Sequence, residues 1–227
     1  MTFTASKPFR CINQDVLLAA LKKKVANEIV FSGGTKPCCV GMVDIVNSTA
    51  STAKLGNGKM CEYYTIFLNA MSIIAKEFDA VVVKNLGDSL LYYFPKTAEG
   101  KEKDAFAEVL ECGLTMIESH GTINQLMSEQ KLPHVDYRIS SDYGTLSIAH
   151  ASGLPVDDIF GPTVNLCAKI KSAAQPNELV VGGDMHQIAK SHKTYKFIYV
   201  GAYYLGLKHD YPVYSVSRSE PRKWPWQ

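Results

Sequence analysis

Two carboxylates stand where ionised groups are costly. Asp44 lies within Val43-Asp44-Ile45-Val46, part of an apolar run over residues 38–46, and Asp88 lies at a tip between two further apolar runs, 80–84 and 89–94. A charged side chain in such surroundings must be paired with something. Two that face each other across neighbouring strands repel, and one would keep its proton. A pair of divalent cations resolves both problems. Mg²⁺ in particular is bound by a few carboxylates together with substrate phosphates, which points to phosphoryl chemistry. Taken singly, Asp44 reads as a loop cap and Asp88 as a turn residue; together they read as metal ligands.

The hydropathy pattern supplies the elements that position them. Residues 1–13 read as an untied arm, and Leu17, Leu21 and Val25, recurring every fourth position, predict an amphipathic helix over 14–30. Ser32-Gly33-Gly34-Thr35 predicts a break before a buried strand over 38–46 that Pro37 opens. After a turn-rich stretch (47–59), a helix is predicted over 60–78, its apolar face formed by Tyr63, Tyr64, Phe67, Leu68, Met71, Ile74 and Ala75. Strands over 80–84 and 89–94 follow, joined as a hairpin through Asn85-Leu86-Gly87-Asp88. A third helix starts near Asp104 and passes Ile117, and a strand covers 135–142. This β-α-β-β-α-β order predicts an α+β fold, a ferredoxin-like sheet with helices on one face. The first strand is then central and adjoins the hairpin, bringing Asp44 towards Asp88.

Beyond this unit, a strand over 145–149 is predicted to pair back through Tyr143-Gly144. Gly161-Pro162-Thr163 opens a helix to about Ala173, where proline at an early position loses no hydrogen bond. Extra strands over 179–181, 196–200 and 213–216 complete the domain. The division is an N-terminal arm and helix (1–36), a main domain (37–217) and a tail (218–227) containing Trp224-Pro225-Trp226.

Composition narrows the classes. The 227 residues are 46% hydrophobic, 20% charged and 10% aromatic, a globular balance that excludes disordered, collagen-like and disulfide-scaffold chains. That length can bury a full core in one domain. With 24 basic and 22 acidic residues the net charge is +2, and the only basic block, Lys22-Lys23-Lys24, reads as a solvated helix face. Nucleic acid and membrane are therefore not expected as partners. Cys11, Cys38, Cys39, Cys61, Cys112 and Cys167 form no C-x-x-C pair, and the start lacks a secretory pattern. Reduced core thiols in a soluble cytoplasmic protein are expected. No run of 18 apolar residues predicts a spanning helix.

Four segments in order carry a resemblance. Val43-Asp44-Ile45-Val46-Asn47-Ser48-Thr49, with Asn47 where Gly is usual, is similar to the first metal motif of the class III nucleotidyl cyclases, the catalytic domains of adenylyl and guanylyl cyclases. Val83-Lys84-Asn85-Leu86-Gly87-Asp88 resembles their second, with a base-selecting Lys four residues before the metal Asp. Arg138-Ile139-Ser140 through Tyr143-Gly144 resembles the strand and turn that follow, and the segment from Asp158 through Gly161-Pro162-Thr163-Val164-Asn165 to Lys169 a third motif. Lys208 lies where a phosphate-binding Lys is often found. The resemblance spans about 38–216; one such motif is weak, but several in order are specific.

The resemblance implies an enzyme that joins the 3′-hydroxyl of a nucleoside triphosphate to its own α-phosphate and expels pyrophosphate. It implies two Mg²⁺ or Mn²⁺ ions on Asp44, Asp88 and the carbonyl of Ile45, with Asn165 orienting the ribose and Lys208 holding terminal phosphates. Lys84 and Asp158 would read the base, with Asp157 a neighbouring alternative to Asp158. An ammonium donor and a carboxylate acceptor suit N1 and the N6 amino group of adenine, so ATP is favoured over GTP, while cytosine offers the same pattern. Where the family has Arg, this chain has Lys169, and none of Arg10, Arg138, Arg218 and Arg222 stands in that motif. Lysine keeps the charge but loses the planar fork. Metal and base-reading residues come from different subunits in this family, so a homodimer with two shared sites is implied. A cyclase making cyclic CMP or cyclic UMP, and a catalytically weak nucleotide-binding module, are the alternatives.

Overall fold

Alternation along one strand divides the chemistry of the molecule between two faces. The computed structural model describes residues 14–15, 18–19, 29–98, 100, 103–151, 157–204 and 210–220. Strand β1 (Ile29–Ile45) is followed by helices α1 (Ser48–Thr52) and α2 (Asn57–Glu77), and then by the hairpin β2 (Val81–Leu86) and β3 (Ser89–Phe94). Helices α3 (Lys103–Glu118) and α4 (His120–Glu129) lead into β4 (Tyr137–Ala151). Next come β5 (Asp158–Phe160), α5 (Pro162–Ile170) with a 3₁₀ turn (Lys171–Ala173), β6 (Glu178–Gly182), α6 (Gly183–Ala189), β7 (Tyr195–Tyr203) and β8 (Tyr211–Arg218). The sheet order is β2-β3-β1-β4-β6-β8-β7, with β5 paired separately to β4. Its β2-β3-β1-β4 portion is the ferredoxin-like unit expected from the sequence, and β6, β8 and β7 extend it.

Successive side chains of a strand point to opposite faces. Cys39, Val43 and Ile45 pack with Tyr63, Phe67 and Met71 of α2, Phe106 and Leu110 of α3, and Met127 of α4. Cys38, Val40 and Met42 turn the other way, onto Leu146, Ile159 and Cys167 of α5. The helices of the split unit thus share one face as expected, and α5 covers the opposite one. Asp44, in phase with Met42, belongs to the α5 face.

Several expectations are corrected. The proposed break at 32–35 is a shift of register inside β1, between Phe31 and Thr35, and the strand begins at Ile29. Gly34, with φ of 94°, takes up the bulge. Residues 29 and 30 are therefore strand and not the end of the first helix; of that helix only 14, 15, 18 and 19 are described, and they are helical. Leu17, Leu21, Val25 and the Trp224-Pro225-Trp226 tail lie outside the described residues. No turn forms at Tyr143-Gly144, because β4 runs through it, paired with β1 from Ile45↔Tyr137 to Ile29↔Ala151. Gly144 is needed for a close approach instead: a Cβ there would lie 2.6 Å from Thr163 Oγ1 on α5. The turn of the hairpin is Gly87-Asp88 alone, with Gly87 at φ 67° and Asn85 and Leu86 inside β2. Helix α5 stops at Ile170 and passes into the 3₁₀ turn.

Cys38, Cys39, Cys112 and Cys167 are buried and Cys61 is exposed, all five as free thiols. Among the described residues no helix is long and apolar enough to cross a membrane.

Candidate active site

Register brings the two acidic residues to one end of the sheet. Asp44 pairs with Ser89 across β1 and β3, so Asp88, the residue before Ser89, lies level with the end of β1 at Ile45. On its other side Asp44 pairs with Arg138 of β4. The chain leaves β1 through Asn47, whose φ of 53° is left-handed. Asparagine is among the few residues besides glycine that enter that conformation readily.

The Asp44 carboxylate is well attended on one oxygen. Oδ1 accepts a hydrogen bond from Ser89 Oγ and an ion pair from Lys171 Nζ at 2.9 Å, and the same ammonium reaches Ser89 Oγ at 3.4 Å. Among the described residues Oδ2 has neither hydrogen bond nor ion pair. Lys171 and Arg138 were not singled out in the sequence. The signal for Lys171 was available: α5 buries Thr163, Cys167 and Ile170, and Lys171 stands four residues after Cys167, on the apolar side of the helix. A lysine there must find an anion or reach for water. The Nε of Arg138 is buried without a hydrogen-bond partner among the described residues.

A second pair forms at the far side of β2. Lys84 and Asp158, 74 positions apart, make a direct ion pair. The Lys84 ammonium also stands 5.8 Å from the centre of the Phe160 ring, whose edge contact with Phe31 has its centroids 5.5 Å apart. Asp157, the neighbouring alternative, turns to His150 instead. Lys84, Asp158 and Phe160 therefore line one wall, which the short strand β5 creates by pairing with β4.

Asn165 and Lys169 occupy the outward side of α5, one helical turn apart and exposed. They share a face with each other, but not with the buried stripe that leads to Lys171. Lys208 falls outside the described residues.

The donor set suits hard cations. Asp44, Asp88 and a strand-end carbonyl offer oxygen alone, the preference of Mg²⁺ and Mn²⁺. Among the described residues no three His, Cys, Asp or Glu side chains cluster. Two carboxylates are few for a protein-only cage and enough for an ion that completes its shell with water and phosphate.

A third carboxylate belongs to the scaffold. Asp142 of β4 is buried, accepting from Tyr211 Oη at 2.8 Å and from the amides of Tyr143 at 2.9 Å and Met185 at 3.3 Å. Burial pushes its carboxyl up to about 7. Gly182 makes room for it, since a Cβ there would lie 2.3 Å from Asp142 Oδ2.

The family model for the adenylate and guanylate cyclase catalytic domain matches residues 31–218. Among solved structures, the adenylyl cyclase CyaB from P. aeruginosa is similar at 20% identity and a TM-score of 0.73, covering 82% of this chain and 96% of that one. The guanylyl cyclase Cya2 is similar at 16% identity and 0.71, covering 83% and 96%. A non-canonical dimeric guanylyl cyclase domain of the RhoGC fusion protein from the aquatic fungus Blastocladiella emersonii is similar at 16% and 0.70, covering 82% and 99%. No curated protein matches the sequence.

Proposed function

Because this chain belongs to the adenylate and guanylate cyclase catalytic domain family, we propose that it converts ATP to 3′,5′-cyclic AMP and pyrophosphate at sites shared by two copies. The observation that supports this reading most is the register of Asp44 against Ser89, the residue after Asp88, at the end of β1. In the reaction the 3′-oxygen bonds to the α-phosphorus, the bond from that phosphorus to the bridging oxygen breaks, pyrophosphate leaves, and the hydroxyl proton passes to water. Two Mg²⁺ or Mn²⁺ ions on Asp44, Asp88 and the Ile45 carbonyl would supply the positive charge that favours loss of this proton and balances the triphosphate.

The remaining work falls to the chain's own groups. Lys84 donates to N1 of adenine and Asp158 accepts from its N6 amino group. Their ion pair keeps both heads at one wall before the base arrives, which limits the ordering that binding must impose. Guanine presents a ring N–H and a carbonyl at those positions, leaving like groups opposed and unsatisfied at about 1–3 kcal/mol each. Asn165 orients the ribose so that the hydroxyl lies in line. Lys169 offers its charge to the transferring phosphate, and Lys208 to the terminal ones. The outward exposure of Asn165 and Lys169 supports their serving the site of a second copy. The catalytic unit, expected over 37–217, is read as starting with β1 at Ile29, and as working in the cytoplasm.

Lys169 in place of arginine favours a second reading, a module that binds nucleotide and turns it over slowly or not at all. Incubating the protein with Mn²⁺ and each of ATP, GTP, CTP and UTP, and identifying cyclic products by mass, tests both. Cyclic AMP as main product supports the proposal, and cyclic CMP or cyclic UMP replaces it with the pyrimidine reading. Stabilisation by nucleotide without pyrophosphate release favours the binding module. Mixing inactive Asp44→Ala and Asn165→Ala proteins should restore about a quarter of the activity, since half the dimers carry one intact site of two. No recovery despite proven subunit exchange would rule out shared sites.

A further inference from the structure

We propose that Lys171 is the resident counter-ion of Asp44, and that a divalent cation must displace its ammonium to load the site. The inference rests on the cyclase reading above and adds to it a device that sets how much metal the empty protein requires.

Three observations carry it. Lys171 Nζ lies 2.9 Å from Asp44 Oδ1 and 3.4 Å from Ser89 Oγ, so it sits between the two residues that the β1–β3 register pairs. The contact is sheltered, with only 17% of the lysine side chain and 23% of the aspartate side chain exposed. The backbone brings the lysine there: the buried stripe of α5 runs through Thr163, Cys167 and Ile170, and Lys171, four residues after Cys167, opens the 3₁₀ turn that follows. Lys171 is thus committed to its own chain's carboxylate, whereas Asn165 and Lys169 face outward.

The physical consequence is competition. A divalent ion on a carboxylate oxygen sits about 2.1 Å away. Whether the ion takes Oδ1 or the uncontacted Oδ2, the ammonium on Oδ1 would lie only a few ångströms from a double positive charge, with little solvent to screen the repulsion. Arg138, across the register from Asp44 with a buried Nε lacking a hydrogen-bond partner among the described residues, adds positive charge on the other flank. The metal gains Asp44 only as Lys171 leaves it, and the long flexible stem of lysine permits that movement. While the site is empty, the ammonium removes the repulsion that Asp44 and Asp88 would otherwise exert on each other.

The test uses nucleotide-free protein and Mn²⁺, with free Mn²⁺ followed by its electron paramagnetic resonance signal. Lys171→Gln should bind Mn²⁺ about tenfold more tightly than the native chain, the size of a single charge interaction near a protein surface, and Lys171→Arg should stay near the native affinity. Should Lys171→Gln fail to fold, Lys171→Met keeps the apolar stem and takes the same measurement. Binding that Asp44→Asn weakens but Lys171→Gln leaves unchanged or weaker overturns the counter-ion role and spares the cyclase reading. Binding that Asp44→Asn leaves untouched overturns the metal site itself, and both inferences with it.

Discussion

Asp44 and Asp142 sit on paired strands, four register steps apart, and are kept in opposite ways. Asp44 lies at a strand end, partly open to water, held by an ammonium and a hydroxyl on one oxygen with the other oxygen uncontacted among the described residues. Asp142 is enclosed, surrounded by a phenol and two backbone amides, and its carboxyl is raised to about 7. A carboxylate stabilised by a mobile cation can exchange that cation for another. One stabilised by fixed dipoles in a dry pocket can exchange only its proton. The first arrangement belongs to a site and the second to a scaffold, so the surroundings of a buried acid say more about its task than burial does.

Replacing each acid should separate the two kinds. Asp44→Asn should lower cyclic nucleotide production roughly 100- to 1,000-fold, the usual loss on removing an electrostatic group at a phosphoryl centre. It should lower the unfolding free energy by about 1–3 kcal/mol, because the sheltered Lys171 ammonium loses its counter-charge; denaturant unfolding and a product assay on the same preparation check both. Next in size, Lys169→Arg should raise turnover roughly 10- to 150-fold, if the planar fork recovers about 1.4–3 kcal/mol of transition-state contact. An unchanged rate would show that the outward face of α5 is not limiting.

A third comparison, read in stability and not in rate, concerns Asp142. Its folded value lies above the 3.8 of a free carboxyl, so between about pH 4 and 7 the native state keeps a proton that the unfolded chain has lost. Its contribution to stability is therefore greatest at the acid end, falls as pH rises through that window by at most about 1.4 kcal/mol per unit, and is level above pH 7. Asp142→Asn should remove this fall while leaving specific activity unchanged. Urea midpoints at pH 5 and pH 8 for the two proteins give the comparison, and parallel profiles would show that the carboxyl is not the group responsible.

The ferredoxin-like unit was legible because its signals are local and strong: the four-residue spacing of α2, the apolar run of β3, and the Gly87 turn between the hairpin strands. Asp44, Asp88, Lys84 and Asp158 could be read as site residues because each sits in a short motif of fixed spacing. The structure adds what no local signal carries. Strand β5 has three residues and forms only because β4 offers an edge. Gly144 read as a turn because glycine serves both tight turns and close approaches, and only the packing of Thr163 tells which applies. Lys171 belongs to no motif, and only its place four residues after the buried Cys167 sets it opposite the motif face of α5.

The enclosed thiols have a practical consequence. Burial pushes Cys167 up to about 12 and Cys112 higher still, and raises Cys38 and Cys39, so these four sulfurs lack both the thiolate form and the access that electrophiles need. Of the five described cysteines, Cys61 alone is exposed on the native surface. A maleimide dye should therefore mark Cys61 promptly and the enclosed four only on the timescale of global opening, giving the chain a built-in clock for its own unfolding.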